Sequence, residues 1–499
     1  MKLLSFAVAA CRYFSTEAAP ASKQSHGKHW FFNNKKRFGK NASKAPKRPR
    51  IKWTDEQKMA LDAVCGGLSV FITGSAGTGK TFLLQHIIKK LKKLHGRSKV
   101  YVTAPTGVAA CALYGQTLHS FAGVGLGESD RSSLLERVLS DRTACYRWKK
   151  VKVLIIDEVS MVDAVLFEKL EYVARSIRVE AGVGDNQSWG GLQLIVCGDF
   201  FQIPPVLKKK KKGAKEFAFE AHCWDSSFDL QMELTTIFRQ SDALLIKLLQ
   251  GMRKGEIDDD DLKILEGCCS GYEPHPSAVR IFPRNEDVEK VNKMKMESLD
   301  QEIYVYKAED SGETKWIRQL KSGIAPDELK MCVGARVMLT KNINTFRKLV
   351  NGSTGTLKAF VPVSEKEYQL SDNMCSHGSL LPLVVMDSGT ELLVEPETWV
   401  VLDGDKTVAY ARQIPLILSW ALSIHKCQGM TLENLDTNLS RVFDFGMVYV
   451  ALSRVKSLGG LHLSGLNPAK IKAHPKVLQF YQKFSGKQDK NVAAGDTSD

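Results

Sequence analysis

Long apolar runs are missing from this chain of 499 residues. Crossing a bilayer as a helix takes about 20 consecutive apolar residues, so we place no transmembrane helix and expect no membrane partner. Cysteine is also sparse: there are 11, an odd number, and none of them form a Cys-x-x-Cys pair. This spacing supports neither a disulfide framework nor a zinc site, and it favours ordinary thiols in a reducing compartment.

Acidic residues are missing from one stretch, residues 18–54, which holds 11 Lys or Arg. The whole chain has a net charge of +15, so most of the positive excess lies in this stretch. We interpret residues 1–52 as a targeting sequence followed by a basic arm. Such an arm can hold polyanions by releasing counterions, or it can be a solvated linker, and the two are compatible.

Three targeting signals compete within this arm. Residues 1–14 combine Lys2 and Arg12 with apolar positions and no acid, as in a short mitochondrial presequence that ends near Ser15. A secretory signal over residues 3–11 is a rival, and residues 44–52 can be read as a nuclear localisation signal. Because unpaired thiols suit a secreted protein poorly, we expect a mitochondrial protein, with the nucleus as the alternative.

From residue 53 the sequence alternates between strand-like and helix-like patterns. Residues 81–94 have apolar positions at helical spacing and a lysine-rich outer face. Four short apolar runs are typical of buried strands: residues 70–73, 99–103, 151–156 and 192–196. Strands separated by helices predict an α/β domain with a parallel sheet covered on both faces, spanning 53–240.

The second half of the chain changes character twice. Residues 241–330 are charged and helical with one strand at 279–282, whereas residues 333–408 contain several strand-like runs separated by turns. This pattern predicts a second α/β domain, 241–470, with a small β barrel inserted near 333–410. The runs at 416–422 and 448–452 read as strands, and 471–499 as a C-terminal tail.

The most specific motif has the form G-x-x-x-x-G-K-[ST] and consists of Gly74, Ser75, Ala76, Gly77, Thr78, Gly79, Lys80 and Thr81. It follows a predicted strand and opens a predicted helix, which is the setting of a P-loop. Backbone N–H groups and the helix dipole would hold phosphates there. We expect Lys80 to bind the β and γ phosphates and Thr81 to bind Mg²⁺, so ATP and Mg²⁺ are the predicted cofactors.

Two further motifs complete a hydrolytic site. The apolar run 154–156 ends in Asp157, which would hold Mg²⁺, and Glu158, which would polarise the attacking water. A chance acidic pair is the alternative, and the P-loop upstream makes it the weaker one. Gln202 leaves the fourth predicted strand and can sense the γ-phosphate; a loop ended by prolines is the alternative.

These residues resemble the superfamily-one helicases and, more closely, the petite integration frequency (PIF) family of DNA helicases. The resemblance runs from about residue 53 to 461 and is sharpest over 168–199. Residues 188–191, Ser-Trp-Gly-Gly, differ from the family's usual Pro-Phe-Gly-Gly. The resemblance implies two RecA-like P-loop motor domains with an SH3-like β barrel inserted in the second.

The same resemblance implies an ATP-dependent DNA helicase that moves 5′ to 3′ on single-stranded DNA and unwinds tailed duplexes. Its roles would lie in DNA replication, repair or recombination, and we expect a monomer. An RNA-directed motor and a DNA-binding protein switched by ATP are the alternatives.

Roles for further residues also follow from the resemblance. Gln57 would contact adenine, although a Gln at such a position is often just an exposed helix residue. Arg239 and Arg454 would stabilise charge on the transferring phosphoryl group, rather than being solvated surface charges. DNA contacts would come from Pro105, Thr106, His119 and Phe121 in the first domain and from His425 and Lys426 in the second. For His119, a packed core histidine is the alternative.

Overall fold

The computed structural model describes residues 51–484, except 126, 207–214, 270–272, 274, 276–277, 322–324, 345–346, 348, 369–373 and 404–405. The targeting signals and most of the basic arm, residues 1–50, lie outside the described residues, as do residues 485–499. The described residues from Thr54 to Phe484 form one compact unit.

The helices are α1 (Asp55–Cys65), α2 (Lys80–His95), α3 (Gly107–Ala112), α4 (Leu118–Ala122), α5 (Arg131–Ser140), α6 (Arg142–Lys150), α7 (Ala164–Glu180), α8 (Ala243–Lys254), α9 (Asp259–Gly267), α10 (Asn285–Glu297), α11 (Thr314–Lys321), α12 (Glu365–Tyr368), α13 (Met447–Leu452) and α14 (475–484).

The strands are β1 (Val70–Gly74), β2 (Val100–Ala104), β3 (Gln116–Thr117), β4 (Val153–Ile156), β5 (Gln193–Cys197), β6 (Leu230–Leu234), β7 (Val279–Phe282), β8 (Tyr304–Lys307), β9 (Glu309–Gly312), β10 (Glu328–Met331), β11 (Arg336–Leu339), β12 (Thr354–Pro362), β13 (Leu380–Met386), β14 (Glu391–Leu393), β15 (Glu397–Asp403), β16 (Lys406–Gln413), β17 (Leu416–Leu418), β18 (Ala421–Ser423), β19 (Leu435–Asn438) and β20 (Leu461–Gly465).

The first lobe, residues 54–240, is built on a six-stranded parallel sheet in the order β3-β2-β4-β5-β1-β6. Every residue of β1, β2 and β4 is buried, as expected for central parallel strands with helices on both faces. The four strands predicted from apolar runs are confirmed as β1, β2, β4 and β5 to within two residues at each end. The carboxyl ends of these strands form one edge, where loops can gather functional side chains.

Local sequence explains the two helices that flank β1. At the start of α1, the Thr54 hydroxyl accepts from the Gln57 backbone N–H, and the Gln57 side chain accepts from the Thr54 N–H, a capping box. Helix α2 buries one apolar stripe and turns its lysines outward, as predicted for residues 81–94. Its buried residues are Leu83, Leu84, Ile87, Ile88 and Leu91.

The second lobe, residues 241–302 and 419–470, is built on a four-stranded parallel sheet in the order β18-β7-β19-β20. Its core combines Leu248 of α8, Ile281 of β7 and the whole of α13. The described part of the chain therefore has a mixed α/β fold with two parallel sheets, each with its own apolar core.

The β insert, residues 303–418, separates β7 from β18. It contains a five-stranded antiparallel sheet, β14-β13-β12-β11-β17, a three-stranded sheet, β15-β16-β9, and the pair β10-β8. An insertion of β structure is confirmed, but its limits need correction. Residues 304–331 contain strands β8, β9 and β10. The sequence predicted this stretch to be helical, with the one strand of the region placed earlier, at 279–282.

Two predicted strands need further correction. The run 416–422 is split between β17, which pairs with β11 in the β insert, and β18, which pairs with β7 in the second lobe. The run 448–452 is helical, within α13, not a strand. All six residues of α13 are buried, so no polar face marks the helical period in its sequence.

The segment predicted to be a C-terminal tail also begins with ordered structure. Residues 475–484 form α14, and Val477, Tyr481 and Phe484 are buried in the core of the first lobe. The tail boundary at 471 is therefore corrected, because the chain returns from the second lobe to pack on the first. Across the described ranges, no helix has the length and apolar content needed to span a membrane.

Candidate functional site

The P-loop connects β1 to α2 at the carboxyl edge of the first sheet. Gly77 and Gly79 have φ angles of 89° and 80°, a conformation in which residues with side chains are strained. A Cβ atom on Gly77 would also lie 2.9 Å from the Cβ of Arg239. The Lys80 ammonium donates to the carbonyl oxygens of Gly74 at 2.7 Å and Ser75 at 2.9 Å. The loop is thus folded around its own lysine, with α2 starting directly behind it.

The other P-loop residues have distinct environments. Ser75 and Thr78 are buried, and the Thr78 hydroxyl donates to the Ser75 carbonyl at 2.9 Å. The exposed Thr81 lies in the first turn of α2. Ala76 is buried, and its N–H donates to the hydroxyl of Tyr449 in the second lobe.

The acidic pair, Asp157 and Glu158, directly follows β4. Strand β4 pairs with β5, which in turn pairs with β1, the strand that leads into the P-loop. Burial, and then the charge of Glu158, raise the pKa of Asp157 to about 7. Burial also raises the pKa of Glu158, whose carboxylate accepts from the Gln428 side chain of the second lobe at 2.9 Å. Two adjacent carboxylates, one buried and one partly exposed, favour a cation close by.

The donor set at this edge fits a magnesium–nucleotide complex. The Asp157 carboxylate and the Thr81 hydroxyl are oxygen ligands, the type that Mg²⁺ prefers. In nucleotide sites Mg²⁺ usually binds such side chains together with phosphate oxygens. The P-loop glycines leave backbone room for the phosphates. Thr81 and Asp157 are therefore the residues that would hold the cation.

Gln202 lies in the loop after β5 and is buried. Its side-chain nitrogen donates to the carboxylate of Asp199 at 3.3 Å. Asp199 has no exposed surface and pairs with Arg253 of α8 at 3.0 Å. The amide of Gln202 is thus hydrogen-bonded to the ion pair of Asp199 and Arg253, and this ion pair connects the two lobes.

The two predicted arginines come from distant parts of the sequence and meet at the cleft. Arg239 donates to the Thr431 hydroxyl at 3.2 Å and to the Ser453 carbonyl at 3.1 Å. Arg454 is buried, whereas Arg239 is partly exposed, and Arg454 donates to the Val450 carbonyl at 2.8 Å. Burial, and then the charge of Arg454, lower the pKa of Arg239, and burial lowers the pKa of Arg454. Two close cations of this kind form a strongly positive wall that favours an anion.

One cavity of about 930 Å³ brings these groups together. The predicted residues on its wall are Ala76, Gly77, Gly79, Lys80, Thr81, Glu158, Gln202, Arg239 and Arg454. Gln57 lies just behind it, because its side-chain nitrogen would be 3.3 Å from a Cβ on Gly79. Sequence reasoning missed the aromatic side chains of Phe82 and Phe238 on the wall, which are about half exposed. The cavity has the size and the charge for a nucleoside triphosphate.

Of the residues predicted to contact DNA, five are on or near the surface. Pro105 and Thr106 follow β2 at the carboxyl edge of the first sheet, and both are partly exposed. His119 on α4 is also partly exposed, and burial lowers its pKa. His425 and Lys426 are exposed in the loop after β18 of the second lobe.

Phe121 is the exception, and its predicted role is wrong. It has no exposed surface, and its ring lies 5.0 Å from that of Tyr101 and 4.8 Å from that of Trp148. It is a core residue of the first lobe. The sequence did not distinguish it from a contact residue, because aromatic side chains are favoured both in cores and at interfaces.

Comparison with known proteins is consistent with this site. The chain matches the profile of the PIF1-like helicases over residues 52–262 and that of the DNA helicase Pif1 2B domain over residues 319–360. It is 40% identical over 438 residues to the ATP-dependent DNA helicase PIF1 of Danio rerio, covering 87% of this chain and 64% of that one. The chain spans less than two thirds of the length of the curated relatives it matches.

Solved structures extend the match to nearly whole chains. The crystal structure of Pif1 helicase from Candida albicans is 37% identical, with a TM-score of 0.68, and the match covers 87% of this chain and 100% of that one. A Pif1 helicase from Bacteroides, in complex with ADP-AlF3 and ssDNA, is 28% identical with a TM-score of 0.56, covering 88% of this chain and 98% of that one. The chain belongs to the family of PIF1-like helicases.

Proposed function

We propose that this chain is an ATP-dependent DNA helicase that moves 5′ to 3′ along single-stranded DNA and unwinds tailed duplexes. One observation carries the proposal. Lys80, Glu158 and Gln202 of the first lobe share a single cavity with Arg454 of the second. A site divided between two lobes can convert nucleotide binding and hydrolysis into relative movement of those lobes.

The chemistry would be divided among the residues as follows. Lys80 and the P-loop amides bind the phosphates, and Gln57 contacts the adenine base. Glu158 polarises the attacking water, Gln202 senses the γ-phosphate, and Arg239 and Arg454 stabilise charge on the phosphoryl group. Mg²⁺, when bound by Thr81 and Asp157, neutralises charge on the phosphate oxygens.

The two parallel sheets would be two RecA-like motor domains, and the β insert would contain an SH3-like barrel. In this arrangement Pro105, Thr106 and His119 contact the DNA backbone from the first lobe, and His425 and Lys426 contact it from the second. The support is their common exposure near the carboxyl edges of the sheets, together with the ssDNA in the related Bacteroides complex. We propose a monomer as the working unit.

The test is an unwinding assay with duplexes that differ only in their single-stranded tail. A substrate with a 5′ tail is expected to be unwound in the presence of ATP and Mg²⁺, and one with a 3′ tail is not. Unwinding from the 3′ tail alone would refute the polarity but leave ATP-driven unwinding standing. Binding of DNA that responds to ATP without any unwinding would instead indicate an ATP-switched binding protein.

The choice of nucleic acid is tested separately. We expect ATP hydrolysis to be stimulated by single-stranded DNA more than by single-stranded RNA of the same sequence. Equal or greater stimulation by RNA would favour the RNA-directed alternative, since backbone contacts alone discriminate weakly between the two.

We also propose that the protein acts on mitochondrial DNA in replication, repair or recombination, with the nucleus as the alternative site. The support is the composition of residues 1–52. Fusing residues 1–52 to a fluorescent protein should direct it to mitochondria, and nuclear fluorescence would favour the signal at residues 44–52.

A further inference from the structure

Helix α14 places one hydroxyl directly beneath the loop that carries Gln202. Tyr481 of α14 is buried, and its hydroxyl lies 2.5 Å from that of Thr73 in β1. The same oxygen accepts from the N–H of Phe200 at 3.3 Å. Residues about 280 and 410 positions apart in the chain thus share one buried hydrogen-bonding centre.

The next member of this centre is the carboxylate of Asp199. The Tyr481 hydroxyl lies 3.5 Å from Oδ1 of Asp199, while Oδ2 accepts from the side-chain nitrogen of Gln202 at 3.3 Å. A phenol oxygen can accept two hydrogen bonds and donate one. If the Thr73 hydroxyl donates to Tyr481, then Tyr481 accepts from Thr73 and Phe200 and donates to Asp199, and every hydroxyl proton has a partner.

Arg253 of α8 closes the centre from the other side. Its guanidinium donates to Oδ1 of Asp199 through Nε at 3.3 Å and through Nη2 at 3.0 Å. The guanidinium carbon lies 4.7 Å from the ring centre of Phe201 and 5.2 Å from that of Tyr481. Those two rings are themselves stacked, with centres 4.7 Å apart. The carboxylate is therefore fixed in direction by a planar donor that is itself held by two rings.

Arg253 lies on α8, a helix that packs in the core of the second lobe. Leu245, Leu248 and Met252 of the same helix are buried in the core of that lobe, whereas Asp199 follows a strand of the first sheet. The pair between Arg253 and Asp199 therefore connects the two lobes at the base of the Gln202 loop. If the distance between the lobes changed, this ion pair would shift Asp199 and so change the orientation of the Gln202 amide.

We propose that Arg253 and Tyr481 are positioning residues for ATP hydrolysis, which hold Asp199 so that Asp199 orients the amide of Gln202. With its nitrogen bound to Asp199, Gln202 offers its amide oxygen to a water molecule or a bound nucleotide. Neither positioning residue lies on the wall of the cavity, so both act through Gln202. The inference rests on the proposed ATPase function.

The test compares steady-state ATP hydrolysis of the full chain with that of Tyr481→Phe, which removes one oxygen and keeps the rings. Loss of one orienting hydrogen bond should lower kcat about five-fold, with KM within about two-fold. The control is Tyr306→Phe. It also removes a buried tyrosine hydroxyl, one that donates to the Leu380 carbonyl at 3.1 Å in the β insert, and it should leave kcat unchanged.

A double-mutant comparison separates positioning from a structural role. If Tyr481 acts through Gln202, adding Tyr481→Phe to Gln202→Ala should cause no further loss of the single-turnover rate. Multiplied losses in the double variant would overturn the proposal. So would an unchanged kcat in Tyr481→Phe, or a loss fully explained by a smaller folded fraction in an active-site titration.

Failure of the proposed function has a different signature. If the wild-type chain hydrolyses no ATP with DNA and Mg²⁺ present, the proposed function fails and this inference fails with it. If the wild type hydrolyses ATP and Tyr481→Phe matches it, only the positioning role is refuted.

Discussion

The hydroxyl oxygen of Tyr449, in helix α13 of the second lobe, accepts a hydrogen bond of 2.7 Å from the backbone N–H of Ala76 in the P-loop. Both residues are buried. The second lobe therefore contacts the P-loop itself, through the helix that directly precedes Ser453 and Arg454.

Tyr449→Phe should destabilise the nucleotide-free protein, because it leaves the Ala76 N–H buried without its acceptor. A donor left unsatisfied in this way costs about 1–3 kcal/mol. Urea unfolding without nucleotide measures the effect. Tyr410→Phe, at a partly exposed tyrosine of β16, is the control and should unfold like the wild type. Equal stability of all three proteins would contradict the importance of the contact.

Gly446→Ala should lower ATP turnover sharply. Gly446 precedes α13 with a φ of 72°, and an added Cβ would lie 2.4 Å from the Phe201 carbonyl oxygen and 2.8 Å from that of Gln202. Backbone atoms cannot rotate away, so α13 must move, and a displacement of about 1 Å can cost about 100-fold in rate. The matched control is Gly459→Ala, where a Cβ would meet nothing within 4 Å. Normal turnover in Gly446→Ala would show that the lobes tolerate a wider separation.

Lys80→Ala should abolish ATP hydrolysis while the protein stays folded. The lysine is the only P-loop side chain expected to reach the β and γ phosphates, and its present contacts are two carbonyl oxygens of the same loop. Lys90→Ala, on the exposed face of the same helix, is the control. Near-normal DNA-stimulated hydrolysis in Lys80→Ala would refute the assignment of the P-loop.

Arg454→Ala should leave nucleotide affinity within a few fold but lower turnover by about 10³, the usual scale for an arginine that stabilises the phosphoryl group. Because Arg454 is also bonded to Val450 and Ser453, Arg454→Lys serves as a second variant that keeps a charge in the buried site. Nucleotide binding by fluorescence and turnover are measured on the same preparation. A collapse of affinity with normal turnover of bound ATP would make Arg454 a binding residue instead.

Phe121→Ala should lower the free energy of unfolding by about 3–5 kcal/mol, the range for truncating a buried phenylalanine. Among molecules that remain folded, DNA affinity should be unchanged, since the ring is not exposed. His119→Ala, two positions earlier and partly exposed, should show the reverse pattern: near-normal stability and weaker DNA binding. Loss of DNA affinity in Phe121→Ala at full stability would restore the contact role.

Local sequence was sufficient to predict the motifs whose residues lie within a few positions of one another. The P-loop needs glycines at fixed positions between a strand and a helix, and Asp157 and Glu158 need only the end of a buried strand. Both features are complete within short segments, so spacing and residue type predicted them. The core strands of the first sheet were predicted for the same reason, because strands buried on both faces are continuous apolar runs.

Tertiary structure decided which residues from distant parts of the sequence contact and orient those motifs. Arg253 and Tyr481 carry no local pattern that separates them from any helix arginine or tyrosine, and α13 shows no helical period because it is buried on every side. Their positions follow from how α8, α13 and α14 pack on the two sheets. By itself the sequence determined the P-loop and the acidic pair. The packing of the two lobes determined what holds those groups in place, because hydrogen bonds between residues hundreds of positions apart exist only once the cores have formed.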